Sequence, residues 1–169
     1  MTPSPIFRPK LKDEGIYKQS ASMKVSFLRH AESIFNAEKT SEKDCDLSEK
    51  GKMQAAALKG TFDVVICSIM KRTQQTFSLG SFEYGKLIYT DLCREKKSDI
   101  CDFLPFEDES QKESSEELAQ RITRFTYFLK SQVSSYQSVL VVSHGDFIHA
   151  IGKESQPYPT NAEFQIHTL

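Results

Sequence analysis

The chain has 169 residues, a length that fits one domain with a sizeable buried core. Its 22 Lys and Arg residues nearly balance 23 Asp and Glu residues, and the net charge of -1 excludes a general electrostatic attraction to nucleic acid or to an anionic membrane. Any attraction for an anionic ligand must therefore be local.

Neither the N-terminal segment nor any later stretch has the apolar run of a signal peptide or a membrane span. We expect a poorly ordered arm over residues 1–22, a single domain over residues 23–169 and a cytoplasmic location. The cysteines lack the spacing of a zinc site, so free thiols are predicted and neither a metal nor a cofactor is. A redox role for Cys93 and Cys101, the pair closest in sequence, is the alternative.

The first predicted strand, residues 23–28, runs directly into Arg29 and His30. The guanidinium of an arginine matches the oxygens of a phosphate, and a neutral histidine is a nitrogen nucleophile. The pair therefore suggests phosphate chemistry. A surface charge beside a hydrogen-bonded core histidine is the alternative.

The middle of the chain alternates helix and strand. Ser48 predicts the N-cap of a helix that runs to about Lys59, where Gly60 would stop it. A short β-branched run over residues 62–67 predicts a buried strand ending at Ser68, and a helix over residues 70–77 then carries Arg72. A weaker strand over residues 86–89 leads into a charged segment at residues 92–97.

The last third of the chain contains the clearest helix. Ser114 and Glu117 form a predicted capping box, and the apolar residues that follow recur at helical spacing, which indicates a core-facing stripe: Leu118, Ile122, Phe125, Leu129 and Val133. A buried strand over residues 138–143 then runs into His144. A short helix over residues 147–151 and a final strand over residues 164–169 complete the chain.

This alternation predicts an α/β fold, with a mainly parallel (mixed) central sheet and helices on both faces. In such sheets ligands bind beyond the carboxyl ends of the strands. Three strands end there in polar residues, which would bring His30, Arg72 and His144 to one pocket.

Five segments resemble motifs of the histidine phosphatase superfamily, also called phosphoglycerate-mutase-like. They are LRHAES at residues 28–33, DLS at residues 46–48 with Gly51, Gln54 and Ala55, SIMKRTQQT at residues 68–76, LCRE at residues 92–95 and VVSHG at residues 141–145. Ala31 replaces the commonest glycine, and Ile69 stands where proline is usual. The five segments cover roughly residues 25–151.

The resemblance implies that His30 is a nucleophile that becomes phosphorylated, while Arg29, Arg72 and a protonated His144 bind the phosphoryl group. Ser33, Asn36 and Gly145 would also contact phosphate or substrate. The attacking ring nitrogen of His30 must be unprotonated, so we expect the other ring nitrogen to donate to a backbone carbonyl, which would fix the tautomer. A helix that begins near Ala31 would add free backbone amides to the anion site.

The residue that protonates the leaving group is predicted to be Glu95, by its place in the resemblance. Asp146 is the alternative, because other branches of the superfamily use an aspartate beside the second histidine. Arg94, with Lys96 and Lys97, would form a basic rim that binds a second anionic group of the substrate; ordinary solvated charges are the alternative.

The resemblance implies a metal-independent phosphatase that acts on a phosphorylated small molecule or a phosphorylated protein side chain. A phosphoglycerate-mutase-type phosphotransferase is the alternative within the superfamily, but only residues 78–115 are free to build the water-excluding cap that a mutase needs. A non-catalytic phospholigand-binding protein is the alternative from another class. The sequence does not specify an oligomeric state.

Overall fold

The computed structural model describes residues 22–169, so the arm predicted over residues 1–22 lies almost wholly outside the described residues. The strands are β1 (Lys24–Arg29), β2 (Lys59–Ser68), β3 (Ser81–Thr90), β4 (Val139–Ser143) and β5 (Phe164–Thr168). The helices are α1 (Ile34–Glu38), α2 (Glu49–Ala56), α3 (Lys71–Leu79), α4 (Ser115–Gln132) and α5 (Gly145–Ile151), with a short 3-10 helix at Ile100–Asp102.

One sheet of five strands, in the order β3-β2-β4-β1-β5, forms the centre of the molecule. β1, β2, β3 and β4 are parallel, whereas β5 is antiparallel to β1. β4 is buried along its whole length, as expected for an apolar strand between two neighbours with both faces covered. The prediction of a mainly parallel sheet with a mixed edge is confirmed.

Helices cover both faces of this sheet. On one face α4 and α5 pack through Phe125, Leu129 and Phe147 against Phe27 and the same-facing residues of β2 and β4. On the other face Phe77 of α3 packs in a cluster with alternate residues of the same strands. Among residues 22–169, no helix is both long and apolar enough to cross a membrane.

The predicted elements around β2 and β3 have the wrong bounds. α2 ends at Ala56 rather than near Lys59, and Gly60 lies inside β2, where it pairs with Phe82 of β3. Both strands are ten residues long, because they pair with each other from Lys59 and Ser81 onward. β3 is an edge strand with mostly exposed side chains, so no continuous apolar run marks it in the sequence.

Candidate active site

The parallel pairing of β1 with β4 brings the two histidine segments together. Arg29 lies opposite Ser143 in the register, so His30 and His144 emerge side by side at the carboxyl ends of their strands. Their ring centroids are 5.3 Å apart. A pocket of about 190 Å³ lies beside His30 and is lined by Arg29, His30, Ser33, Phe35, Asn36, Lys39, Arg72, Glu95, Asp99, Cys101, Asp102, Asp146 and Tyr158. His144 is fully buried and is not among the lining residues.

His30 is held as a neutral imidazole. Its Nδ1 lies 2.7 Å from the carbonyl oxygen of Ala31, which assigns the proton to Nδ1 and leaves Nε2 unprotonated, as the acceptor of a 3.3 Å hydrogen bond from Nε of Arg72. Burial, followed by the charges of Arg72 and Arg29, holds the pKa of His30 well below its ordinary value of 6.5. The expected tautomer is therefore present, and Nε2 is available as a nucleophile at neutral pH.

The loop after His30 is anchored by the motif residues of α2 and α3. The amide of Ala31 donates to Oγ1 of Thr76, and the amide of Glu32 donates to Oε1 of Gln54, each at 2.9 Å. Gly51 allows α2 to approach this loop, because a Cβ at that position would lie 1.9 Å from the carbonyl oxygen of Glu32. These contacts fix the backbone on which His30 stands.

The prediction that a helix near Ala31 offers free amides to an anion is wrong. α1 begins only at Ile34, after its N-cap Ser33. The amide of Ser33 donates to Oδ1 of Asn36, and the amide of Ile34 donates to the carbonyl of Asp46. The protein itself thus uses the amides from Ala31 to Ile34, so charge for an anion must come from side chains.

Arg29 and Arg72 both line the pocket, but they are held differently. Nη1 of Arg29 donates to the carbonyl of Pro159 at 2.8 Å, and the guanidinium lies 5.5 Å from the centroid of the Tyr158 ring. Arg72 is only 2% exposed and forms a 2.9 Å ion pair with Asp102, which sequence reasoning did not identify.

Two further nitrogens of Arg72 donate hydrogen bonds to Cys101 and to His30. Its Nη1 donates to the carbonyl of Cys101 at 2.9 Å, and its Nε donates to Nε2 of His30 at 3.3 Å. Asp102 in turn accepts the amides of Ser98 and Asp99 through Oδ2. Arg72 therefore lies in a fixed orientation against the nucleophile, and Asp102 determines that orientation.

His144 was expected to be protonated, but it is fully buried and neutral. Its Nε2 lies 2.8 Å from Oγ of Ser68, and its Nδ1 has no hydrogen-bond partner among the described residues. Burial and then the positive charge of Arg72 hold its pKa well below 6.5, so the ring is neutral before a ligand binds. Gly145 does not line the pocket; a Cβ there would lie 2.2 Å from the Tyr158 hydroxyl, so glycine makes room for that ring.

The side chain of Glu95, from the segment after β3, lies against the first turn of α5, beside the competing carboxylate Asp146. Its oxygens accept the amides of Lys96, Asp146 and Phe147 at 2.9 to 3.0 Å. Burial, assisted by the charges of Asp146 and Asp102, outweighs these donors and raises the pKa of Glu95 to about 7. Oδ1 of Asp146 instead accepts the hydroxyl proton of Tyr158 at 2.7 Å.

Arg121 of α4 fixes the segment that carries Glu95, although nothing in its sequence context singles it out. Its guanidinium donates to the carbonyls of Leu92, Arg94 and Glu95 at 2.8 to 3.3 Å, and it forms a bidentate pair with Glu113. The long helix thus has a second role besides core packing, because it holds Glu95 against α5.

The prediction that Arg94 forms part of a basic rim around the pocket is wrong. This side chain is buried, pairs with Glu107 at 2.6 Å and donates to the carbonyl of Asp102, and it does not line the pocket. The Lys97 ammonium also pairs with Glu107, and that of Lys96 donates to Oγ of Ser115. These charges hold the segment after β3 together.

Ser33 and Asn36 line the pocket, as predicted, and they also cap α1. Oδ1 of Asn36 accepts from the amide and hydroxyl of Ser33 and from Nδ2 of Asn161. The interval predicted to form a cap, residues 78–115, contains the end of α3 and the whole of β3, so only residues 91–114 lie between sheet and helix.

Comparisons with known proteins agree with this arrangement. The model of the histidine phosphatase superfamily (branch 1) matches residues 25–97. No curated protein sequence matches the chain significantly. Solved structures do match the chain.

A putative alpha-ribazole-5'-P phosphatase from Escherichia coli has a TM-score of 0.65 and 18% identity, with 88% of this chain and 94% of that chain covered. A mycobacterial glucosyl-3-phosphoglycerate phosphatase in complex with VO3 has a TM-score of 0.62 and 17% identity, with 85% of this chain and 90% of that chain covered. At such identities the likeness establishes the fold. The chain is thus similar in sequence to the histidine phosphatase superfamily (branch 1) over residues 25–97, and it shares its fold with these two phosphatases.

Proposed function

We propose that the chain hydrolyses phosphomonoesters through a phosphohistidine formed on His30, without a metal ion. The observation that carries the proposal is the neutral His30, whose unprotonated Nε2 shares a pocket with two arginines and a carboxyl group of raised pKa. A nucleophile, positive charge for the phosphoryl oxygens and an acid are the groups that phosphoryl transfer to a histidine requires.

In the first step Nε2 of His30 attacks phosphorus, and the bond from phosphorus to the ester oxygen breaks. Glu95, whose pKa of about 7 keeps a large fraction of it protonated at neutral pH, gives its proton to the departing oxygen. Arg29 and Arg72 compensate the charge on the phosphoryl oxygens. The buried Nδ1 of His144, which has no partner within residues 22–169, is the group that would contact the same oxygens.

In the second step the Glu95 carboxylate accepts a proton from water as the water oxygen attacks phosphorus. The bond between phosphorus and Nε2 breaks, inorganic phosphate leaves and Glu95 is again protonated. Asp146, the competing acid, already accepts the Tyr158 hydroxyl, which favours Glu95 in this role.

Hydrolysis is preferred to a mutase reaction because the segment available as a cap is shorter than the sequence suggested. β3 uses residues 81–90, which leaves residues 91–114 to exclude water from phosphorylated His30. Rapid movement of phosphate between positions of a phosphoglycerate, faster than its release, would instead indicate a mutase.

The substrate class that we propose is a phosphorylated small molecule. The solved structures with this fold include proteins named as phosphatases of alpha-ribazole-5'-P and glucosyl-3-phosphoglycerate, both of which are phosphorylated small molecules. A screen of phosphorylated metabolites and phosphopeptides tests this proposal, and preference for phosphopeptides would overturn it.

The catalytic proposal is tested with p-nitrophenyl phosphate in the presence of a chelator. We expect turnover that survives chelation and is lost in His30→Ala, together with acid-labile phosphate on the wild-type protein after rapid quenching. Strict metal dependence would refute the mechanism. Tight binding of inorganic phosphate without turnover of any monoester would instead indicate a non-catalytic binding protein.

A further inference from the structure

The outer edge of β3 is a long strand edge without a neighbour. β3 stands at one end of the sheet order, and β2 is its only strand neighbour in the described part of the chain. It extends over ten residues, and residues 83–86 in its middle are all exposed. Natural proteins usually shorten, cover or charge such an edge, because its free amide and carbonyl groups pair readily with another chain. The edge of β3 is therefore a candidate interaction surface.

One face of β3 is apolar. Phe82 and Leu87 pack in the same cluster as Phe77 of α3, and the Tyr84 ring lies 5.3 Å from the Phe77 ring. We call this side of the sheet the Phe77 face. The pairing of β3 with β2 skips Gly85, and the alternation of side chains changes there. Phe82 and Leu87 therefore share a face although an odd number of positions separates them.

The opposite face of β3 carries two charges of opposite sign. Glu83 lies between two residues that point to the Phe77 face, and Lys86 directly precedes a third, so alternation directs both charged side chains to the other face. Both are exposed, and neither forms an ion pair within residues 22–169. The two charges are therefore available to a partner.

These charges make the strand complementary to itself. When two copies of β3 are aligned antiparallel about a two-fold axis between Tyr84 and Gly85, Glu83 of each copy lies opposite Lys86 of the other. Opposite charges that face each other across paired strands stabilise the pairing. A second copy of this chain thus supplies both missing ion partners at once.

The apolar residues agree with the same register. It places Phe82 opposite Leu87, and both belong to the Phe77 face. Tyr84 and Tyr89 point to that face as well and are 48% and 50% exposed, so pairing would remove part of their apolar surface from water. An axis placed on Tyr84 or on Gly85 would instead set residues of different faces opposite each other.

We propose that the chain forms a two-fold dimer in which β3 pairs antiparallel with β3 of a second copy, with Glu83 opposite Lys86 at two symmetric positions. One sheet then runs through both copies, and the backbone groups of both edges find partners. The inference does not rest on the proposed phosphatase function, because it concerns the edge of the sheet and not the pocket.

Analytical ultracentrifugation of the full chain over a range of concentrations tests the dimer. We expect a mass that rises with concentration to twice that of the 19.3 kDa chain. Lys86→Glu and Glu83→Lys each place like charges opposite each other at both positions, so the dissociation constant of each variant should rise by about tenfold or more. Lys24→Glu, at an exposed position of β1, is the matched control and should dimerise like the wild type.

A mixture of the two single variants tests the register. In the mixed dimer the acidic pair of the Lys86→Glu variant lies opposite the basic pair of the Glu83→Lys variant, so the affinity should return to about the wild-type value. The double variant Glu83→Lys/Lys86→Glu should dimerise with itself for the same reason.

Three results would overturn the inference. A wild-type protein that stays monomeric at every concentration excludes the dimer. A dimer that neither single variant weakens, or one that Lys24→Glu weakens equally, does not use this edge. Single variants that stay monomeric when mixed, although circular dichroism shows both to be folded, exclude the register. Lys86→Gln replaces Lys86→Glu if that variant does not fold, and it should still weaken the dimer because it removes both ion pairs.

Discussion

Replacing Glu95 by Gln removes the carboxyl group whose pKa burial raises from 4.5 to about 7. If Glu95 is the acid, turnover of substrates with poor leaving groups should fall by about 10²- to 10⁴-fold, the usual contribution of general acid–base catalysis. Substrates with good leaving groups should lose much less, because their oxygen departs without a proton. The wild-type rate for poor leaving groups should fall as pH rises through about 7, where Glu95 loses its proton.

The same shift has a consequence for stability. Between pH 4.5 and about 7 the folded protein holds a proton on Glu95 that the unfolded chain has released. Stability therefore decreases as pH rises through this window, by about 3 kcal/mol at about 1.4 kcal/mol per pKa unit. Glu95→Gln lacks this contribution. Between the acid and the alkaline end of the window, its unfolding free energy relative to that of the wild type should therefore rise by about 3 kcal/mol.

The assay compares glycerol phosphate with p-nitrophenyl phosphate over a range of pH, and urea unfolding measures stability at the acid and alkaline ends. Asp146→Asn is the control, because it keeps Glu95 but removes the second cause of its raised pKa, so the alkaline decline should remain and move to lower pH. Loss of that decline in Asp146→Asn, with its retention in Glu95→Gln, would refute the assignment of Glu95 and support Asp146.

Three further predictions concern the residues around the nucleophile. Asp102→Ala leaves the Arg72 charge buried without its partner, so we expect about 3 kcal/mol lower stability, a melting temperature lower by roughly 6 to 12 °C, and a higher KM for phosphomonoesters. Gly51→Ala places a methyl group 1.9 Å from the Glu32 carbonyl oxygen, so unfolding in urea should show a loss of about 1 to 3 kcal/mol. Because the pKa of His30 lies well below 6.5, kcat/KM for p-nitrophenyl phosphate should not decline as pH falls through 6.5.

Each of these predictions has a result that contradicts it. Asp99→Asn, at an exposed neighbour, is the control for Asp102→Ala and should leave stability almost unchanged; equal losses in the two variants would mean that the buried pair is not the cause. A Gly51→Ala protein as stable as wild type would show that α2 moves away at little cost. An acid limb centred at 6.5 would mean that His30 titrates as an ordinary exposed histidine.

Periodicity and local motifs predicted much of the fold correctly. The buried strand β4, the apolar stripe and the Ser114 N-cap of α4 and the alternation of strand with helix all follow from local patterns, and the structure confirms them. Of the predicted capping box only the bond from the Glu117 amide to the Ser114 hydroxyl is present among the described residues. β3 was predicted too short, because an edge strand that exposes most of its side chains needs no apolar run. Gly60 was assigned to a helix end because local propensity does not include the pairing partner that keeps it in β2.

The sequence by itself predicted that His30, Arg72 and His144 share one sheet edge, since parallel strands bring their carboxyl ends together. Only the tertiary structure placed Asp102 on Arg72 and Arg121 on the Glu95 segment. It also assigned Arg94 to an ion pair with Glu107 and showed His144 to be neutral. These features depend on burial and on partners distant along the chain, and neither is encoded in a local motif.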